Sequence, residues 1–375
     1  MRIPRISFKN LSKNKVVIFD NEGSQILKTT VLNGIKYTIV YCRKEFFHIT
    51  LPLLFLMLKN AVLFLIRAES SDLKWATRCS LLGYIYRIYL LSCIEYIKPK
   101  VVLTFIDNNS IFHWISRMHN NCEYYAIQNG MRVLTNTMSM PHFFCFGECE
   151  VDLYKKHNQD IDNFYPVGSL KGGYYKTCIS RSNTKVDFDI CFVSDLLLSF
   201  SKGHVLSKFE LGVSCLYKLV HKYLAEDPLT CCIAMRSTDE HDQKIENEYL
   251  GSIFENRVKI IKRNDVQMST YAAMDRSSVV ISWNSTAVYE AFGWGKKVLL
   301  CNLSGDESYQ SPLPEICTMN VNNYDVFKTK LDYLRQLDEN EYRKITESHA
   351  RYLMNYDFDN PAHRVIRKMI LEHLS

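Results

Sequence analysis

The chain has 375 residues, enough for two domains that each bury a core. Hydrophobic residues make up 47% and charged residues 23% with no low-complexity run, which excludes a disordered chain. Lys plus Arg is 46 against 40 for Asp plus Glu, a net charge of +6: too mild for a dedicated nucleic-acid binder, and suited to a nucleotide or an anionic membrane surface. The thirteen cysteines are odd in number and form no CxxC pair, so they read as small buried hydrophobes in a reducing cytosol, neither a disulfide frame nor a zinc site.

The opening MRIPRISFKNLSKNK is basic and lacks the apolar core and cleavage site of a secretory signal. VVIF (16–19) and YTIVY (37–41) read as strands. ITLPLLFLMLKNAVLFLI (49–66) approaches the length of a membrane span, but Lys59 and Asn60 interrupt it and Pro52 sits near its start. A span would set Lys59 deep in hydrocarbon at roughly 2.5–3.5 kcal/mol, so the segment is read as a buried or interfacial helix. Helical material over 73–97 leads to the strands VVLTF (101–105), YYAI (124–127) and FFCF (143–146). The polar stretch KTCISRSNTK (176–185) reads as a linker. After it come the strands FDICFV (188–193), CCIAM (231–235), VKII (258–261), SVVI (278–281) and KVLL (297–300), with helices from about Asn340 onward. Strands alternating with helices in both halves predict an α/β protein of two Rossmann-like domains. The expected division is a first domain over 1–175, a second over 186–345, and helices over 346–375 that pack back across the boundary.

In open α/β sheets, ligands sit outside the carboxyl ends of the strands. That rule selects Asp20, Asp107, Asn108, Gln128, Asn129 and Gly130 in the first half, and Ser194, Arg236 and the corner Asn284, Ser285, Thr286 in the second. At that corner Ser285 or Thr286 is a natural N-cap for AVYEAF, so unpaired N–H groups and a helix dipole would face a phosphate. Glu290 lies four residues after Thr286 on the same helix face, placed to accept hydrogen bonds from a ribose. The competing reading is an ordinary capped crossover with Glu290 on a solvated face. GxxxxGK[ST], GxGxxG after the first strand, GxSxG and HExxH are all absent, which argues against a P-loop NTPase, a usual dinucleotide dehydrogenase, a common α/β-hydrolase and a zinc hydrolase. No metal site and no nucleic-acid partner are expected.

PKVVLTFIDNN, YYAIQNGMR, FGECEVDLY and YPVGSLKGGYY in the first half, with WNSTAVYEAFGWGKKVLLCN in the second, resemble bacterial surface-carbohydrate (capsule or O-antigen type) biosynthesis transferases of GT-B architecture. The resemblance runs from about residue 98 to 302. It implies two domains facing a central cleft, the first binding the acceptor and the second the donor, and transfer of a sugar from a nucleotide-sugar, as co-substrate, to a glycan or lipid-linked glycan. The implied enzyme needs no metal or other cofactor. The apolar segment 49–66 and the basic N-terminus lead to the expectation of a cytoplasmic protein, at most peripherally attached at the inner face of the membrane. With the resemblance carried onto this chain, Ser285 and Thr286 bind donor phosphate, Glu290 the ribose, and Gln128, Asn129 and Arg132 the acceptor side. Arg236 stands where related enzymes place a basic residue, but its neighbourhood, AMRST, lacks the His-Pro pair that several families show. The transfer needs a base for the acceptor hydroxyl unless configuration is retained, and Asp107 is the first choice, Asp20 the second. Two other readings stay open: a CDP-polyol phosphotransferase of teichoic-acid type, and a non-catalytic GT-B-like scaffold.

Overall fold

A computed structural model describes residues 5–43, 46–67, 81–132, 137–180, 185–196, 207–255 and 257–375. The strands are β1 (Arg5–Ser7), β2 (Val16–Phe19), β3 (Tyr37–Val40), β4 (Phe46–His48), β5 (Val101–Thr104), β6 (Glu123–Ile127), β7 (Ser139–Cys145) and β8 (Asp160–Pro166) in the first half. In the second they are β9 (Phe188–Val193), β10 (Cys231–Ala234), β11 (Lys259–Ile261), β12 (Ser277–Ser282), β13 (Lys297–Cys301) and β14 (Thr318–Met319). The helices are α1 (Leu51–Arg67), α2 (Leu81–Ile97), α3 (Ser110–Met118), α4 (Glu148–Lys156), α5 (Leu170–Tyr174) and α6 (Lys208–Glu226). After these come α7 (Glu240–Phe254), α8 (Ser269–Asp275), α9 (Thr286–Gly293), α10 (Tyr324–Gln336), α11 (Glu339–Leu353) and α12 (Ala362–Leu374).

Two six-stranded sheets result, ordered β3-β2-β5-β6-β7-β8 and β11-β10-β9-β12-β13-β14. All their pairings are parallel. This is the α/β architecture of two Rossmann-like domains. Central parallel strands are covered on both faces and so read as unbroken apolar runs. Val16, Val17, Ile18 and Phe19 of β2 are all fully buried. Alternation sends Val17, Phe19 and Val102 to one layer with Leu90, Ile94 and Phe112. Val16, Ile18, Val101 and Leu103 go to the other. There Ala362, Ile366 and Ile370 of α12 complete the layer, so the last helix closes one face of the first sheet. Arg367 Nη1 fixes it by donating to the carbonyls of Val31 (2.9 Å) and Asn33 (2.8 Å).

Several expected boundaries move. FFCF is the end of the longer β7, whose Pro141 had masked its start. The edge strand β8, DIDNFYP, is too polar for an apolar-run criterion, as edge strands are. β1 and β4 form a small parallel ribbon of their own. The expected linker begins as helix, with a π-helical turn over Tyr175–Ile179 and Lys176 Nζ 2.8 Å from Asp275 Oδ1. Its residues 181–184, and 73–80 of the expected helical stretch 73–97, lie outside the described residues. Over 49–66 the expected helix is present as α1, and no described helix is long and apolar enough to cross a membrane.

Candidate functional site between the two sheets

In the second sheet the strand order reverses between β9 and β12. Chains leaving such neighbours go to opposite faces, so a crevice opens at their carboxyl ends. Asp195, just past β9, organises it. Its Oδ2 accepts hydrogen bonds from the N–H groups of Trp283 (3.0 Å) and Asn284 (3.1 Å), and from the Ser282 hydroxyl. Burial pushes this carboxyl up from its ordinary pKa, and those hydrogen bonds with the charge of Arg236 oppose the rise. The corner is therefore held by an internal carboxylate, and two N–H groups before the helix are already paired. Ser285 is the N-cap of α9, yet its side chain makes no capping bond, which leaves the first N–H groups of α9 toward the cleft.

The Thr286 hydroxyl accepts a 3.0 Å hydrogen bond from Met131 N of the first domain. It thereby ties the corner to the Gly130 loop while its proton stays available to donate. Glu290 is 4% exposed, which removes the solvated-face reading. Its Oε1 accepts from Ser169 Oγ and its Oε2 from Tyr271 OH (2.9 Å), so it joins the two domains on the cleft wall. Burial raises its pKa, opposed by both hydroxyls and by the charges of Lys171 and Arg263.

The facing edges enclose a cleft of about 600 Å³, within the usual size for small-molecule sites. Among its described lining residues the cations are Arg132 and Lys171 from the first domain and Arg236 and Arg263 from the second. Arg236 lies at the end of β10, its backbone N–H held by Glu246 Oε1 at 2.9 Å and its Nη1 3.2 Å from the Asp195 carbonyl. Arg263 grips Asp265 (Nε to Oδ1, 2.7 Å) and donates from Nη1 to the Arg236 carbonyl at 2.9 Å. Lys171 follows the N-cap Ser169 on α5, and its ammonium lies 5.4 Å from the centroid of the Phe105 ring. Burial lowers the Lys171 pKa, offset in part by Asp265 and Glu290. The lining carboxylates Asp195, Asp265 and Glu290 each already hold a hydrogen-bonded partner.

Of the residues expected from sequence, the structure brings Asn129, Gly130, Arg132, Ser194, Arg236, Asn284, Ser285, Thr286 and Glu290 to this cleft. Asp107 is corrected. It has no exposed surface, and both its oxygens meet Arg132, Oδ1 at 2.6 Å from Nη2 and Oδ2 at 3.2 Å from Nε. In that arrangement it orients the guanidinium and cannot touch an acceptor hydroxyl, so the base role falls. Asp20 is also buried, and its carboxylate accepts from Arg43 Nε at 3.1 Å and from the Glu22 N–H. Asn108 is exposed outside the cleft lining, while its neighbour Asn109 caps α3. Gln128 is buried under the loop, accepting from Phe146 N (2.9 Å) and donating to the Gly130 carbonyl (3.1 Å). Ser194 lines the cleft, but its hydroxyl donates to Glu246 Oε1 at 2.6 Å. Sequence reasoning missed Asp195, Lys171, Arg263 and Tyr271. Asp195 lies one residue past Ser194, the first position after β9, and Lys171 stands inside YPVGSLKGGYY.

The family described as "putative O-antigen biosynthesis protein" matches residues 125–368, more than half of the chain and both sides of the cleft. The chain belongs to this O-antigen biosynthesis family. No curated relative matches the sequence. Among solved structures it is similar to MnaA of S. aureus in complex with UDP, at 14% identity over 96% of each chain and a TM-score of 0.54. It is likewise similar to the UDP-GlcNAc 2-epimerase of Neisseria meningitidis bound to UDP-GlcNAc, at 14% identity over 96% of this chain and 98% of that one, TM-score 0.53. A glycosyltransferase from Rickettsia africae matches at 13% identity over 96% and 97% of the two chains, TM-score 0.50. At such identities the likeness concerns fold: the O-antigen family chain has the GT-B architecture.

Proposed function

We propose that this protein is a glycosyltransferase that moves a sugar from a nucleotide-activated donor to a growing bacterial surface polysaccharide, on the cytoplasmic side of the membrane. The observation that carries the reading is the convergence of Arg132, Lys171, Arg236 and Arg263 with the start of α9 on one cleft at the strand-order reversal. Glycosyl transfer from such a donor releases a nucleoside di- or monophosphate, and fixed cations and helix N–H groups stabilise the charge that develops on it. Arg236, Arg263 and Ser285 are assigned to the donor phosphates, with Asn284 beside them. Asn129, Gly130 and Arg132 form the acceptor wall. Glu290 faces the ribose while its carboxylate holds Ser169 and Tyr271 in place. Family membership and the GT-B fold support the reading. The chemistry asked of the chain is leaving-group stabilisation and positioning, for which no bound metal is invoked.

Incubation with nucleotide-sugars and a lipid-linked glycan acceptor tests this through the released nucleotide and the mass of the acceptor. Glycosyl transfer yields an acceptor heavier by one sugar, with release of the nucleoside diphosphate from a nucleoside-diphosphate sugar or of CMP from a CMP-sugar. Transfer of a polyol phosphate from a CDP donor yields CMP and an acceptor that has gained phosphorus, and epimerisation leaves the acceptor unchanged in mass. Either of the latter results overturns the proposal, as does the absence of any turnover.

A further inference from the structure

We propose that the outer face of α1, with the β1–β4 ribbon that feeds it, is a docking surface for an anionic lipid bilayer. α1 is apolar on two opposite faces. Inward, Leu53 is buried and Asn60 Nδ2 hydrogen-bonds Ser92 Oγ (3.0 Å) and Glu95 Oε2 (3.1 Å) of α2. Outward, Leu51, Leu54, Phe55, Leu58 and Val62 recur at helical spacing and form one stripe. Leu51, Phe55 and Leu58 of that stripe are 83%, 71% and 66% exposed. The ribbon adds to it: Ile49 N donates to the Ser7 carbonyl at 2.9 Å, which sets the 78% exposed Phe8 and the exposed Ile6 beside the start of the helix. A contiguous exposed apolar stripe of this kind marks an interaction surface.

Charge decides the occupant. Residues 1–67 hold eleven Lys and Arg against three Asp and Glu, which is +8. With +6 for the whole chain, residues 68–375 carry −2. The chain's positive excess therefore lies within residues 1–67, although Lys15, Lys28 and Arg43 of that segment are engaged with Leu374, Asn21 and Asp20. Exposed Arg5 and Lys9 flank Ile6 and Phe8, and the half-exposed Lys59, 3.7 Å from Glu95 Oε2, rims the stripe on α1. A second copy docked by a two-fold axis would oppose this basic segment to itself, which like charges disfavour. An anionic bilayer accepts both features: apolar side chains enter the acyl boundary while Lys and Arg stay among the headgroups. The inference concerns a surface away from the cleft and does not rest on the reaction proposed above.

Co-sedimentation of the full chain with vesicles tests it, using phosphatidylcholine alone and phosphatidylcholine mixed with phosphatidylglycerol. The wild-type chain sediments with the mixed vesicles, and raised salt releases part of it by screening. Phe55→Ser with Leu58→Ser lowers the partition by about tenfold or more, since the inserted apolar area is lost. Arg5→Glu with Lys9→Glu replaces only exposed side chains, so its fold is kept, and it must also weaken binding to the mixed vesicles. The proposal is overturned if the wild type stays in the supernatant with both vesicle types, or if both double variants bind as the wild type does. A dimer seen by light scattering that Phe55→Ser with Leu58→Ser dissolves would assign the face to a second copy and overturn it equally.

Discussion

Asp107 and Arg132 show how a residue chosen for chemistry turns out to position another. The strand-end rule located Asp107 correctly along the chain, but it does not say which way a side chain turns. Here the carboxylate turns inward and meets the guanidinium with both oxygens. Replacing one partner of a buried pair leaves the other uncompensated. Arg132 is a quarter exposed, so Asp107→Asn is expected to cost about 2–3 kcal/mol, the lower end of that class or just below it. It should raise KM more than it lowers kcat and leave the pH profile of kcat/KM unchanged in shape. A fall in kcat of about 10²–10⁴ with loss of the acidic limb would return the base role to Asp107.

Glu150 carries a second residue-scale consequence. It lies in the first turn of α4, accepting from Gln128 Nε2 (3.4 Å) and Gly147 N (3.2 Å). Burial raises its pKa to about 7, against those hydrogen bonds, with Asp107 adding to the rise. In the unfolded chain an unperturbed glutamate titrates near ~4.3. Between those values the folded state binds more protons than the unfolded one, so stability is fullest below the unfolded pKa and is lost as pH rises through about 7. The contribution is at most about 4 kcal/mol. Thermal melts across that range should show a decline that Glu150→Gln flattens; an identical pH dependence in the variant would refute the assignment.

At the scale of elements, the sequence was most legible where burial on both faces imposes an apolar run. β2, β9 and β12 were found at nearly their observed limits for that reason. β8 and β14 are at sheet edges, where one side of the strand has no neighbour and the composition is free to be polar or short. The corner before α9 was recognised from its N-cap pattern, but the carboxylate that holds it comes from β9, about ninety positions earlier in sequence. Spacing cannot report a partner at that distance. Similarly, Thr286 and Glu290 were legible as one helix face, whereas their attachment to Met131 and Ser169 depends on how the domains meet. Gly172 makes that meeting tight. A Cβ there would run into the Tyr356 hydroxyl and lie 3.4 Å from Glu290 Cβ, so α5 approaches α9 only because the position lacks a side chain.

For the whole molecule, the central claim is that donor phosphate binds where the two sheet edges converge. It rests on cations contributed by both domains, so the cleft is built by the assembled fold and by neither half alone. Calorimetric titration of the full chain with UDP, CDP, GDP, dTDP and CMP, for the wild type and Arg263→Ala, tests this most directly. The account predicts that one of these nucleotides binds, with a raised melting temperature at saturation. It also predicts that Arg263→Ala weakens that binding by about ten- to a hundredfold, the value of a charge-assisted hydrogen bond. Binding of none of these nucleotides, or binding of equal strength in the Arg263→Ala protein, would contradict it.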